Sequence, residues 1–320
     1  MIWKALIIDN LHKSFETKLK GVGVHTSYRV NINRDEIREA LADYHILVLR
    51  SKIQVDREIL CDQPNLKVIA RVGSGMDNID VESAEELGII CLNAPEGNRV
   101  AVGEQTLGML LSLASNISSS NKEVAKGLWN RERNRGYEIS KKTVGLIGYG
   151  NTGTAVAQRL KGFECRIIAY DKYKNGFGND HVEEVTYEDL IKQSDIISFH
   201  IPFTSETKAW ISDDFIEAVD KDFVLLNLSR GGIMDTDAII RGLDAKKITA
   251  FASDVLENED LKSHTAIESA RLKNLIERRN VIVTPHIGGW TVESYRKLSE
   301  ILADKVINAL KIKLVSTREI

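Results

Sequence analysis

TVGLIGYGNTG, residues 143–153, opens as an aliphatic run, breaks at a glycine, and sets Gly148, Gly150 and Gly153 at the spacing G-x-G-x-x-G. The run before the first glycine has the length and β-branched content of a buried parallel strand. The residues after it, NTGTAVAQRLKGF, carry a helical pattern for which Gly162 is the expected cap. Each glycine has a mechanical reason in such a strand, turn and helix. Gly148 makes the tight turn, Gly150 lets a pyrophosphate reach the backbone, and Gly153 lets helix and strand pack closely. Asn151 and Thr152 then start a helix whose unpaired N–H groups and partial positive charge face that pyrophosphate. A second strand, RIIAYD, ends in Asp171, eighteen residues beyond Gly153. A carboxylate there accepts hydrogen bonds from both ribose hydroxyls and repels a 2′-phosphate, so the expected cofactor is NAD rather than NADP. Lys172 beside it works partly against that repulsion.

The same alternation of aliphatic runs and helical patterns extends in both directions. KALIID, HILVLR, LKVIARV and GIICLN precede it, with RDEIREALADY and VESAEELG among them; DIISFH, FVLLNLS, ITAFASDV and VIVTP follow. This is the pattern of an α/β chain with parallel sheets and crossover helices. Residues 99 to about 128 stay helical for longer, with Leu107, Leu110, Leu111 and Ala114 on one face, and are expected to join two domains. The helical tail after residue 291 is too short for a further domain and is expected to fold back on the first. The expected domains are therefore 1–98 plus 291–320, for substrate, and 99–290, for the dinucleotide.

Polar residues cluster just past the strands of the second half. His200 and Pro202 follow one strand, Asn227, Ser229 and Arg230 the next, and Asp254, Glu257 and Glu259 a third. VIVTPHIGGW, residues 281–290, puts His286 past a fourth, with Gly288 and Gly289 turning the chain away. Parallel strands bring their carboxyl ends to one edge, so an arginine, an acid and a histidine converge where ligands bind in such sheets. Trp290 either walls a pocket or packs at a domain interface.

Composition narrows the function classes. With 320 residues and a formal net charge of −3, the chain has no broad cationic surface for nucleic acid or anionic lipid. No apolar run reaches membrane-spanning length and MIWKALIID has no signal-peptide core, so a cytoplasmic protein is expected. Cys61, Cys91 and Cys165 lack any paired spacing; they read as small core residues, and no metal site is expected.

Taken together, VGSGMDNID (72–80), NAPEGNRVAVGEQTLGMLL (93–111), TVGLIGYGNTG, HIPFTSET, LNLSRGG, SDVLENE and TPHIGGWT resemble the D-2-hydroxyacid dehydrogenase family over essentially the whole chain. The resemblance implies two Rossmann-like doubly wound parallel-sheet domains with an active-site cleft between them, NAD as cofactor, and a homodimer. It implies Arg230, Glu259 and His286 as the catalytic trio. As cofactor contacts it implies Gly148, Gly150, Asn151, Thr152, Gly153, Asp171, His200, Pro202, Thr207, Asn227, Ser229, Asp254 and Gly288. Gly73, Ser74 and Gly75 would belong to a substrate-carboxylate loop starting at Val72, whose backbone N–H groups face the anion. Two departures stand out. Asp260 replaces the proline usual after the catalytic glutamate, and residues 260–280 are longer than the usual connection, which leaves open whether Glu259 or Glu257 faces His286.

In the resulting mechanism His286 exchanges the alcohol proton, the acid fixes its tautomer, and Arg230 holds the carboxylate and polarises the carbonyl. Arg50, Ser51 and Lys52 resemble the anion loop of D-3-phosphoglycerate dehydrogenases within the family. They suit a dianionic phosphate, so oxidation of 3-phosphoglycerate to 3-phosphohydroxypyruvate, on the way to serine, is the expected reaction. A hydroxypyruvate, glyoxylate or other 2-keto acid reductase is the alternative among enzymes, and an NAD-sensing co-repressor the alternative from another class. Arg131, Arg133 and Arg135 either reach a neighbouring subunit or form an exposed charged loop. With only about one helix after His286, the effector-binding C-terminal domain of longer phosphoglycerate dehydrogenases is expected to be absent.

Overall fold

The computed structural model describes residues 2–316, with side chains through residue 310. It divides into two compact units, Met1–Asn98 with Trp290–Ile320, and Arg99–Gly289. The first unit runs β1 (Lys4–Ile7), α1 (Ser14–Gly21), β2 (His25–Tyr28), α2 (Arg34–Leu41), β3 (Ile46–Leu49), α3 (Arg57–Leu60), β4 (Val68–Arg71), α4 (Val81–Glu86) and β5 (Ile90–Leu92). Helix α5 (Pro95–Ala114) carries the chain into the second unit, which continues with α6 (Ile117–Val124), β6 (Thr143–Ile147), α7 (Asn151–Leu160), β7 (Arg166–Tyr170) and β8 (Glu183–Glu184). Then come α8 (Tyr187–Gln193), β9 (Ile196–Phe199), α9 (Asp213–Ala218), β10 (Phe223–Asn227), α10 (Thr236–Asp244), β11 (Ile248–Ser253), α11 (Ala266–Ile276) and β12 (Val281–Val283). Helix α12 (Val292–Ser316) returns to the first unit.

Both sheets are parallel. The first has the order β2-β1-β3-β4-β5 and the second β12-β11-β10-β9-β6-β7-β8. Each order reverses once, beside β1 and β3 in the first unit and beside β6 and β9 in the second. Crossover helices leave such a reversal in opposite directions, opening a crevice beyond the strand ends. Asp9 and Arg50 lie just past the reversal in the first unit, Gly148 and His200 in the second.

Helix starts follow local chemistry. Asn33 and Thr265 form capping boxes with Glu36 and Glu268, and Asp56, Asp80, Thr186, Ser212 and Asp235 each accept a first-turn N–H. Strands β3, β9 and β10 are buried along their whole length, as a sheet covered on both faces requires. In the first unit Leu298, Leu302, Val306 and Leu310 recur every four residues on α12 and pack with Val48, Val68 and Ala70 of the sheet. Burying each such side chain contributes about 1.5–3 kcal/mol.

Several sequence expectations are corrected. The α7 helix does not end on Gly162: a 3-10 turn, Lys161–Phe163, continues it, and the left-handed residue is Glu164, with φ of 52°. The Glu164 carbonyl accepts from Lys141, which ties that reversal to the approach of β6. The helical stretch from 99 to 128 is two helices. It starts earlier, with Pro95 at a first-turn position that has no N–H partner to lose, and breaks at Asn116, with φ of 54°. There the Ala114 carbonyl accepts from Tyr137, 2.9 Å away. Within α5, Leu110 and Ala114 are buried as expected, but Leu107 and Leu111 are only partly so, and Met109 and Leu113 complete the core stripe. Strands β2 and β8 carry mostly polar residues, HTSY and EE, because each is a sheet edge. The three cysteines are free and half-buried rather than fully in the core, and burial pushes the Cys91 thiol up to about 11.

Candidate active site

In the second unit the turn after β6 is shaped by contacts no side chain could survive. Gly148 has φ of +93°, and a Cβ there would lie 2.4 Å from the His200 carbonyl oxygen. A Cβ on Gly153 would lie 2.1 Å from the Gly148 oxygen, whereas the space above Gly150 is open. Helix α7 begins at Asn151 with no side chain capping it, so its first-turn N–H groups are left for an anion. Asp171, just past β7, accepts from Tyr149 N at 2.8 Å and Tyr173 N at 3.0 Å, one bond to each oxygen. A carboxylate has about four lone-pair sites, so both oxygens keep capacity for a ribose diol. These residues fit a dinucleotide: open backbone for the pyrophosphate, an acceptor for the ribose. Lys172 is paired with Glu206 at 2.8 Å, which neutralises the cation beside Asp171.

The residues past β9 and β10 are mostly engaged with the protein itself. His200 is buried with Nε2 2.9 Å from Ser198 Oγ and Nδ1 without a partner; burial lowers its pKa to about 4, so it is neutral. Thr207 Oγ1 donates to the Pro202 carbonyl at 2.8 Å and stitches the loop between them. Asn227 is fully buried: Oδ1 accepts from Ser229 N and Oγ, and Nδ2 donates to the Arg230 carbonyl at 2.9 Å. Asn227 and Ser229 therefore fix the backbone that carries Arg230, whose Nη1 donates to the Ser229 carbonyl at 2.7 Å.

Past β11 and β12 the structure brings Glu259 and His286 together. Nδ1 of His286 donates to Glu259 at 2.8 and 3.0 Å, one distance to each oxygen. Glu257 instead accepts from Thr236 N at 2.8 Å, at the start of α10. His286 Nε2 has no partner among the described residues, so the ring presents its second nitrogen outward. The backbone at His286 is left-handed, with φ of 53°, a conformation uncommon for any residue with a Cβ. Asp254, 2% exposed, holds it there. Its carbonyl accepts from His286 N at 2.8 Å; its carboxylate accepts from the Thr284 hydroxyl, from Ile287 N at 2.9 Å and from Gly288 N at 2.6 Å. A Cβ on Gly288 would sit 2.9 Å from that carboxylate.

The first unit offers a different arrangement. Arg50 N donates to Asp9 Oδ2 at 2.6 Å, and the guanidinium carbon lies 4.2 Å from the Trp290 ring centroid and 5.8 Å from that of Tyr295. Burial pulls the guanidinium pKa below its ordinary value, against the pull of Tyr295 and Asp9, but an arginine stays charged. Ser51 is exposed, its hydroxyl without a partner among the described residues, while Lys52 Nζ donates to the Val30 carbonyl. Of the loop at 72–75, Val72 N is spent on the Leu49 carbonyl and Gly73 N on that of Arg71, so only Ser74 and Gly75 offer free N–H groups among the described residues. That narrows the expected carboxylate loop to half its donors. Ser74 Oγ donates to Asn98 Oδ1, and Asn93 donates to the Ser74 carbonyl.

The family model for the D-isomer specific 2-hydroxyacid dehydrogenase NAD binding domain matches residues 107–288, which include the glycine turn, Arg230, Glu259 and His286. The chain belongs to the D-isomer-specific 2-hydroxyacid dehydrogenase family. Among curated relatives of this family, D-3-phosphoglycerate dehydrogenase of Methanocaldococcus jannaschii is 35% identical over 96% of this chain and 57% of its own length. Hydroxypyruvate reductase of Thermotoga maritima is 36% identical over 88% of this chain and 90% of its own. The chain thus spans about half of the length of the phosphoglycerate dehydrogenases it matches and nearly all of the reductase. Among solved structures, D-lactate dehydrogenase with NAD+ from Lactobacillus jensenii has 26% identity and a TM-score of 0.77, covering 95% of this chain and 96% of that one.

Sequence reasoning about this family member overlooked two residues. Arg71 ends β4; its Nε donates to the Arg50 carbonyl at 3.1 Å, and its guanidinium lies where a Cβ on Gly73 would be. The cation in LKVIARV was the available signal. Asp9 was the other, the acid in KALIID at the end of the first strand. Among the described residues no group of histidines, cysteines and acids could hold a metal, and no helix is long and apolar enough to cross a membrane.

Proposed function

We propose that this chain is an NAD-dependent oxidoreductase that interconverts a D-2-hydroxy acid and its 2-keto acid, with 3-phosphoglycerate and 3-phosphohydroxypyruvate as the pair. The observation that carries the reading is the 2.8 Å bond from His286 Nδ1 to Glu259, which leaves Nε2 to exchange a proton with substrate. Glu259 fixes the tautomer and the orientation of the ring. Arg230 binds the substrate carboxylate and polarises the reacting carbonyl, and in the first unit Ser74 and Gly75 keep backbone donors for an anion. Bound through the α7 N-terminus and Asp171, NAD supplies the hydride acceptor. Gly148, Gly150, Asn151, Thr152 and Gly153 form the pyrophosphate cradle, and His200, Pro202, Thr207, Asn227, Ser229, Asp254 and Gly288 shape the walls and turns beside it.

Arg50 and Ser51 receive the phosphate in this reading, with unspent donors for a dianion. Lys52 contributes less, since its ammonium is already committed to the Val30 carbonyl. A second reading, reduction of unphosphorylated hydroxypyruvate or glyoxylate, is favoured by the 36% identity to the Thermotoga hydroxypyruvate reductase. NADH oxidation separates the two. Wild type should prefer 3-phosphohydroxypyruvate, and Arg50→Ala should lower kcat/KM on it roughly tenfold to a hundredfold more than on hydroxypyruvate, the value of about 1.5–3 kcal/mol for a charged hydrogen bond. Equal losses on both substrates would support the general reductase.

We also propose a homodimer formed through α6 and the segment after it. Ile117, Val124, Leu128 and Trp129 are exposed there, Trp129 at 80%, a larger apolar surface than single scattered residues explain. Sedimentation velocity should give a dimer for wild type and a shift toward monomer for Trp129→Glu; a monomeric wild type would remove the proposal.

A further inference from the structure

Arg50 is half-buried, yet among the described residues its guanidinium has neither a carboxylate nor a carbonyl to donate to. Guanidinium groups that leave water ordinarily gain acceptors, because unpaired donors are costly. What Arg50 has instead is rings. Trp290 lies 4.2 Å from the guanidinium carbon, and Tyr295, in the first turn of α12, lies 5.8 Å away. The two rings are 6.0 Å apart, and Tyr295 is itself held edge-on by His12 at 5.9 Å. At the other end of the residue, Arg50 N is pinned to Asp9 at the sheet's reversal point.

A ring and an anion make different demands on a guanidinium. Stacking uses the flat face; hydrogen bonds to an oxyanion use the N–H groups on the edge, so one does not displace the other. The stack therefore freezes a long side chain before substrate arrives and leaves its donors unspent, and binding then loses less rotamer freedom. Trp290 is 58% exposed, so its contribution to a hydrophobic core is small.

We propose that Trp290, backed by Tyr295, is a positioning residue that holds Arg50 ready for the dianionic end of a phosphorylated keto acid and so sets the preference for phosphorylated over unphosphorylated substrate. The inference rests on the phosphate reading above. It is tested by measuring kcat and KM with NADH for 3-phosphohydroxypyruvate and hydroxypyruvate in wild type, Trp290→Ala, Trp290→Phe, Arg50→Ala and the Trp290→Ala/Arg50→Ala double variant. Trp290→Ala should raise KM for the phosphorylated substrate about threefold to thirtyfold, the range of a cation–π contact, and leave kcat and the hydroxypyruvate KM within about twofold. Trp290→Phe, which keeps a ring, should recover most of the loss and carries the test if the alanine variant folds poorly. Once Arg50 is gone, removing Trp290 should have no further effect. If the two losses multiply in the double variant, or Trp290→Ala affects both substrates alike or neither, the inference is overturned while the phosphate reading stands. If Arg50→Ala itself fails to discriminate between the substrates, the phosphate reading falls and takes the inference with it.

Discussion

The loop 284–288 of one unit and the loop 50–52 of the other each leave the carboxyl end of a parallel strand, and they are held by opposite means. Around His286 the polar groups other than its own Nε2 are paired: Thr284, Ile287 and Gly288 donate to the Asp254 carboxylate, His286 N to its carbonyl, and the imidazole Nδ1 to Glu259. Around Arg50 the guanidinium is fixed by aromatic faces, and Ser51 and the N–H groups of Ser74 and Gly75 are left without partners among the described residues. A group that passes a proton needs one tautomer in one orientation, which a full set of bonds supplies. A group that receives an anion needs its donors unspent, so it has to be positioned by contacts that consume none.

The contrast breaks first at His286. Replacing it with Ala should lower kcat by a factor on the order of 100 to 10,000 while NADH affinity, read by fluorescence titration, changes no more than about threefold. Activity near wild type would mean that the proton passes elsewhere and that the paired loop is only structural.

Asp254 sharpens the contrast further. In Asp254→Ala three donors lose their acceptor, the Gly288 bond fully buried and those of Thr284 and Ile287 partly so, at about 1–3 kcal/mol for a buried group, so urea unfolding should report a loss of at least about 2 kcal/mol together with a reduced kcat. Ser51→Ala, at a hydroxyl without a partner, should change stability by less than about 0.5 kcal/mol. Similar stability losses at the two positions would erase the distinction.

The smallest effect concerns a buried group of the paired unit that has no hydrogen-bond partner among the described residues, Nδ1 of His200. Burial holds this ring at about 4 against an ordinary 6.5, so on acidification the unfolded chain takes up the proton first. The stability that neutral His200 allows is complete above pH 6.5 and is lost as the pH falls toward 4, to a total of about 3 kcal/mol. Comparing urea unfolding at pH 7 and pH 4.5 in wild type and His200→Gln should show a smaller acid loss in the variant; equal losses would mean that His200 is protonated or solvated in the fold.

Much of this was readable in the chain because burial on both faces of a parallel sheet forces near-continuous aliphatic runs, as in TVGLI, IISF and FVLLN. Edge strands escape that pressure, so HTSY and the two residues of β8 left no signal. Gly162 misled because a glycine near a helix end is only permitted, not obliged, to reverse the chain, and the obligation fell on Glu164. The position of His286 beyond a strand was legible from the run VIVT. The resemblance named Glu259 as the acid that meets it, but the long connection to β12 left Glu257 open, and tertiary structure settles the pairing by giving Glu257 to Thr236. Nor could spacing reveal that Asp254, past β11, would be consumed by the loop after β12, or that Arg71 would fill the space above Gly73: both depend on which strand ends become neighbours in the sheet.

The return of α12 to the first unit bears on the order in which the protein matures. The apolar face made by Val48, Val68 and Ala70 is completed by Leu298, Leu302 and Val306, residues that leave the ribosome only after the whole intervening unit has been synthesised. At about 5–20 residues per second that delay is on the order of ten seconds or more. By its end the later-encoded unit has every strand it needs, while the earlier-encoded one has waited throughout with a sticky surface bare. The half of the molecule that is translated first is thus the half that finishes last, and its nascent sheet is where a holding chaperone would find its client.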